Sequence, residues 1–132
     1  MSAKKWNPKM TELEIKTTEL NNLISNGETL KAIELFYSDN VSMQENEEIP
    51  RVGKRKCWDN EQQNLKNIKE LKCKLLNQAI NNKENLVFSE WEITITDKND
   101  KKNRLTEVSV QHWGKGQIEK EKFYYKGFHA EI

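Results

Sequence analysis

From Glu70 onward, apolar side chains return at every second position. Leu71, Cys73 and Leu75 alternate with lysines and glutamates. Val87, Ser89, Trp91, Ile93 and Ile95 share one side of the next stretch. Thr106, Val108, Val110 and His112 share one side of the stretch after that, opposite Glu107, Ser109, Gln111 and Trp113. Successive side chains of an extended chain point to opposite faces. This half of the chain therefore reads as long strands, and the β-branched run Thr94-Ile95-Thr96 suits one of them. Asp97 to Lys102, with Asn99-Asp100, reads as a hairpin loop, and Gly114-Lys115-Gly116 as a tight turn.

The stretch GKGQIEKEKFYYKGF, Gly114 to Phe128, admits two readings. Its Glu and Lys residues pair at helical i,i+4 spacing. The short turn before it and the aromatic cluster within it favour a strand returning along the preceding one. Unbroken alternation then puts Glu119, Glu121, Phe123 and Tyr125 on one face. Ile118, Lys120, Lys122 and Tyr124 take the other, joined by Phe128 if the pattern survives Gly127.

The N-terminal half has helical period. Thr11 to Glu14 is a capping-box pattern, followed by Leu13, Leu20, Leu23 and Ile24 and ended by Asn26-Gly27. A second helix starts near Glu28 or Thr29, carries the stripe Leu30, Ile33, Phe36 and Tyr37, and stops near Ser38-Asp39-Asn40. Val41 to Met43 suits a short strand, and the polar loop QENEEIPRVG follows. A third helix runs from Lys54 to about Asn67 on a thin stripe of Cys57, Trp58, Leu65 and Ile68. The expected order is three helices and then an antiparallel meander, an α+β arrangement of helices packed on a curved sheet.

The 132 residues suit one domain spanning the chain, with residues 1–10 as a tail. Hydrophobic residues make up 35% and charged residues 33%, but four Trp, three Tyr and four Phe favour a folded core over disorder. A net charge of +1 carries no basic face of the kind nucleic acid requires. Cys57, Cys73, His112 and His129 have no metal-ligand spacing, so no metal and no cofactor is expected, and the cysteines read as free thiols. No apolar run is long enough for a membrane span, and the start MSAKKWNPKM lacks the apolar core of a secretion signal. A cytoplasmic protein is the expectation.

ETLKAIELFYSDNVSM, the step Pro50-Arg51-Val52-Gly53 before a helix, and strands ending in WGKGQIEKEKFYY together resemble the SnoaL-like group of the nuclear transport factor 2 (NTF2-like) superfamily. The resemblance runs from about Leu13 to Phe128. It implies an NTF2-like cone: a strongly curved antiparallel sheet wrapped on the helices, whose open end holds a small, largely apolar or polar-aromatic molecule. It also implies a homodimer paired through the outer face of the sheet. The activities it implies are cofactor-free isomerase, cyclase or dehydratase reactions; a non-catalytic dimeric interaction module is the alternative.

Proton abstraction beside a carbonyl needs a base with a tuned pKa and a donor for the developing oxyanion. By the same resemblance, Glu45 falls on the isomerases' catalytic aspartate, Leu20 on their tyrosine and Ser109 near their protonated aspartic acid. Leu20 offers no donor, and Ser109 offers only a hydroxyl. His112 is the other candidate for proton transfer, provided that it faces inward near an acid such as Glu90, Glu92, Glu119 or Glu121. Tyr37, Trp58, Trp91, Trp113, Phe123 and Tyr125 are candidates to line a pocket or, equally, to fill the core. If Trp113 points inward, Glu107, Ser109 and Gln111 go with it and His112 points outward.

Overall fold

The computed structural model describes residues 9–127 and 129–130. Helix α1 (Glu12–Ser25) starts at a reciprocal cap: Thr11 Oγ1 accepts the Glu14 N–H at 3.1 Å, and Glu14 Oε1 accepts the Thr11 N–H at 2.8 Å. It ends at Asn26, where Gly27 takes φ +78°. Helix α2 (Thr29–Phe36) ends earlier than its apolar stripe suggests. Tyr37 is already extended and opens strand β1 (Tyr37–Glu45), so Ser38-Asp39-Asn40 lies in a strand and not in a helix end. The reason is burial: in the extended form Tyr37, Val41 and Met43 all turn inward. The polar loop is correspondingly shorter, since Gln44 and Glu45 extend β1 and Arg51–Val52 forms a short strand, β2. Helix α3 (Lys54–Lys66) follows Gly53, at φ +106°.

Four further strands follow: β3 (Ile68–Asn81), β4 (Leu86–Asp97), β5 (Lys102–Gly114) and β6 (Gln117–Tyr124). Ile68, assigned to the third helix by its spacing, opens β3. The expected turns form. Asp97 Oδ1 accepts the N–H groups of Asn99 and Lys101, and Lys115 and Gly116 take φ +52° and +76° with Gly114 opposite Gln117.

The strongly curved antiparallel sheet does not form. The strand order is β2-β1-β6-β5-β4-β3, with β7 (His129–Ala130) beside β5, and β1 runs parallel to β6 while the other pairings are antiparallel. The sheet is mixed and open, neither strongly curled nor closed. Parallel neighbours need a long crossover connection. Here α3 and four strands, β2 to β5, separate β1 from β6 along the chain and bring β6 in alongside β1 in the same direction.

Bulges in β6 and β3 reset which residues face inward. Trp113 sits opposite Ile118 but His112 opposite Lys120, so Glu119 is an extra residue in β6. Ile118, 0% exposed, therefore shares the inner face with Glu121 and Phe123, and the unbroken alternation expected for this stretch fails at Glu119. In β3, Leu75 faces Trp91 but Asn77 faces Glu90, so Leu76 is extra. The inner face passes from Leu71, Cys73 and Leu75 to Gln78 and Ile80. The helices cover this inner face, and Leu20 and Ile33 meet Val41, Val87, Trp113 and Ile118 in the core. The face of Phe128 and most of the N-terminal tail, residues 1–8, lie outside the described residues.

The bulge gives a direct prediction. Ile118→Ala removes about 2–5 kcal/mol of stability in urea denaturation, the range for a buried aliphatic truncation. His112→Ala on the exposed face shifts it by no more than about 0.5 kcal/mol. Comparable losses from the two would contradict the inward turn of Ile118.

Candidate functional site

Helices and sheet border an open-mouthed cavity of about 480 Å³. Ile24 of α1, Leu65 of α3 and Leu71, Ile93 and Leu105 of the strands give it apolar walls. Trp91, Phe123 and Tyr125 add aromatic surface. Its polar groups are unusual for so apolar a space. Glu45, Glu61, Glu107 and Glu121 all line it, against a single cation among the described residues, Arg51.

These carboxyl groups are not equivalent. Glu121 is 3% exposed and receives three donors: the Tyr37 hydroxyl on one oxygen, and Ser109 Oγ at 2.6 Å and Gln111 Nε2 at 2.9 Å on the other. Trp113 Nε1 donates to Gln111 Oε1 at 3.0 Å, which fixes the amide so that its NH₂ faces Glu121. Burial pushes the Glu121 carboxyl up from the usual range, and the three donors pull it back. Burial likewise raises the Tyr37 hydroxyl well above its ordinary value, helped by the adjacent Glu121.

Glu107, two residues before Ser109 on the same face of β5, has no comparable support. Its carboxyl makes no hydrogen bond among the described residues, although it lines the cavity. Burial, followed by the negative charge of Glu121, Glu45 and Glu61, pushes it up to about 8. Of the other two, Glu45 Oε2 lies 2.7 Å from Arg51 Nη2, and Glu61 Oε2 accepts the Thr29 hydroxyl at 2.5 Å. Cys73 also lines the cavity, but burial pushes its thiol up to about 12, leaving it a poor nucleophile.

Of the residues singled out in the sequence, Tyr37, Glu45, Trp91, Phe123 and Tyr125 line this cavity together. Ser109 stands behind it as a support for Glu121. Trp113 is core, packed edge-on against Phe36 at 6.4 Å. Trp58 packs against the core with the Arg55 guanidinium 5.5 Å over its ring. Leu20 is core as well. His112 is exposed on the outer face opposite Lys120, with the sheet between it and the cavity. The alternation of β5 had linked an inward Trp113 to an outward His112, and that linkage holds. Glu107 and Gln111 were visible in the same alternation but had no role attached to them, and Glu121 was named only as a possible acid partner for His112. Glu61 and Arg51 carried no sequence signal of a site.

Among the described residues, no group of three or more His, Cys, Asp or Glu is placed to hold a metal ion, and no helix is long and apolar enough to cross a membrane. No family model and no curated protein matches the chain in sequence. Solved structures do match in fold. A SnoaL-like protein from Mesorhizobium loti superposes with TM-score 0.71 at 21% identity, covering 88% of this chain and 100% of its own. SalBIII, an epoxide hydrolase/cyclase-like enzyme of pyran ring formation in the polyether salinomycin, gives 0.77 at 13%, covering 91% and 96%. An epoxide hydrolase from M. tuberculosis gives 0.73 at 13%, covering 90% and 86%. The fold is therefore that of the SnoaL-like and NTF2-like proteins.

The raised Glu107 carboxyl makes stability depend on pH. Below the ordinary carboxyl range the group is neutral in both folded and unfolded chains. As pH rises from about 4.5 to about 8, the unfolded chain ionises while the folded one keeps its proton, and stability is lost. Glu107→Gln removes this loss. In urea denaturation the variant matches wild type near pH 4 and exceeds it by roughly 2–4 kcal/mol near pH 9. A pH-independent difference would contradict the assignment.

Proposed function

We propose that the cavity takes up a small, largely apolar molecule and that Glu107 exchanges a proton with it, without a cofactor, in an isomerase, cyclase or dehydratase type of reaction. One observation carries this reading: a half-buried carboxyl without a hydrogen-bond partner among the described residues lines a largely apolar cavity of ligand size. As a neutral acid, Glu107 donates to a carbonyl or hydroxyl oxygen; as the resulting carboxylate, it takes a proton from a neighbouring carbon. Glu45 is the second acid–base candidate, with one oxygen already engaged by Arg51. Two of the fold neighbours, SalBIII and the epoxide hydrolase, carry small-molecule chemistry by name, which agrees with this use of the fold.

A neutral aryl ketone titrated into ¹⁵N-labelled protein is expected to shift the amides of Leu71, Trp91, Glu107 and Phe123. Its affinity is expected to fall as pH rises through about 8, where the Glu107 donor is lost. Shifts confined to the outer sheet face, or affinity rising with pH, would refute the reading.

The alternative of a non-catalytic module with a filled interior is disfavoured by the cavity, but its dimer contact has separate support. Phe88, Val108 and Tyr124, 41%, 38% and 46% exposed, lie on one outer face of adjacent strands β4, β5 and β6. We propose that a second copy of the chain covers this face. Sedimentation is expected to give a dimer that Val108→Arg with Tyr124→Glu converts to a monomer; a monomeric wild-type chain would exclude the contact.

A further inference from the structure

We propose that the molecule bound in the cavity carries a basic nitrogen, so that the site takes an apolar amine as its ammonium ion beside Glu107. This rests on the cavity being the binding site, as proposed above, and goes on to the class of ligand. The charge gathered around the cavity favours a cation. Four carboxyl groups reach the cavity from four different elements, Glu45 from β1, Glu61 from α3, Glu107 from β5 and Glu121 from β6. Among the described residues, Arg51 of β2 is the only cationic side chain lining it, and it is engaged by Glu45. The ion pair of Arg51 and Glu45 cancels within itself, leaving Glu61, Glu107 and Glu121 without a cation among the described residues.

Their partners are all neutral donors. Thr29 serves Glu61, while Tyr37, Ser109 and Gln111 serve Glu121. Glu107 has none among the described residues. The other titratable groups facing this space, Cys73 of β3, Tyr37 of β1 and Tyr125 beyond β6, become negative when they ionise, and β4 contributes only Trp91 and aliphatic side chains. An anionic ligand would therefore enter against like charge in a medium that screens poorly. A neutral ligand would give the Glu107 proton an acceptor but its carboxylate no counter-charge. An ammonium group offers Glu107 its missing hydrogen bonds and counter-charge, and the aromatic surface of Trp91, Phe123 and Tyr125 adds favourable contact with a cation.

A proton balance follows. The free protein holds Glu107 protonated at neutral pH, and the free amine is an ammonium ion. In the complex the ammonium pairs with the carboxylate, so one proton passes from Glu107 to solvent on binding. No bond of the ligand is made or broken. Binding should tighten as pH rises toward about 8 and level off above it. This is the opposite of the behaviour expected for a neutral acceptor.

Three probes of one shape test this: 2-(2-naphthyl)ethylamine, 2-(2-naphthyl)ethanol and 2-naphthylacetate, each titrated calorimetrically in buffers of different ionisation enthalpy. The amine is expected to bind at least about tenfold more tightly than the alcohol near pH 8, with the acid weakest. Amine binding should release close to one proton near pH 6 and almost none near pH 9. Glu107→Gln should abolish the release and most of the preference; the release by the wild-type protein needs no variant. An alcohol equal to the amine, a tighter acid, or amine binding without proton release overturns the proposal and leaves the cavity reading standing. Failure of all three probes to bind removes both.

Discussion

The Glu121 carboxyl is the point on which the arrangement turns. Moving an ionisable group out of water costs several kcal/mol unless its oxygens are satisfied. Here the donors come from Tyr37 on β1 and from Ser109 and Gln111 on β5, so β6 is tied through one side chain to both of its neighbours. The Trp113 indole holds the Gln111 amide in the orientation that the carboxyl needs. A slip of one residue in either pairing would turn the donors to the wrong face and leave the acid buried alone. The network thus discriminates against wrong registers at the parallel junction of β1 and β6, where alternation gives the least guidance.

The strand half of the fold was legible because its physics is local. Period-two burial in β4 and β5, the Asp97 loop and the Lys115-Gly116 turn each follow from residues close together in sequence. What escaped was set by distant partners. The bulges at Leu76 and Glu119 exist only against β4 and β5, and each exchanges inside for outside from that point on. Ile118 looked like a companion of Lys120 for this reason. The extension of β1 back to Tyr37 depends likewise on a place beside β6, which Ser38-Asp39-Asn40 does not announce. A curved antiparallel sheet was the natural expectation from consecutive hairpins, since the parallel β1–β6 contact spans most of the chain and leaves no local mark.

The site was legible in its walls and not in its chemistry. Aromatic residues declared themselves as apolar surface, and Tyr37, Trp91, Phe123 and Tyr125 meet in the cavity. Attention to a base went to Glu45 and His112, one by position and one by residue type. His112 is separated from the cavity by the alternation that brings Glu107 in. Glutamates on strands in so charged a chain look like solvated surface, and only burial distinguishes Glu107 and Glu121 from the exposed Glu119.

Glu107 and Glu121 share a residue type, a sheet face and a cavity, yet their surroundings assign them different work. Three donors immobilise Glu121 and satisfy its charge from within the protein. Such a group holds structure, and giving up those bonds for a ligand would forfeit the compensation for its burial. Glu107, half-buried, lacks that compensation, and Glu121 beside it raises the cost of its charge further. A group left in that condition is stabilised by whatever supplies the missing partner, so its burial turns into affinity for the right ligand. The support given to one carboxyl is thus what makes the other available, and the two together set the polarity of the space they share.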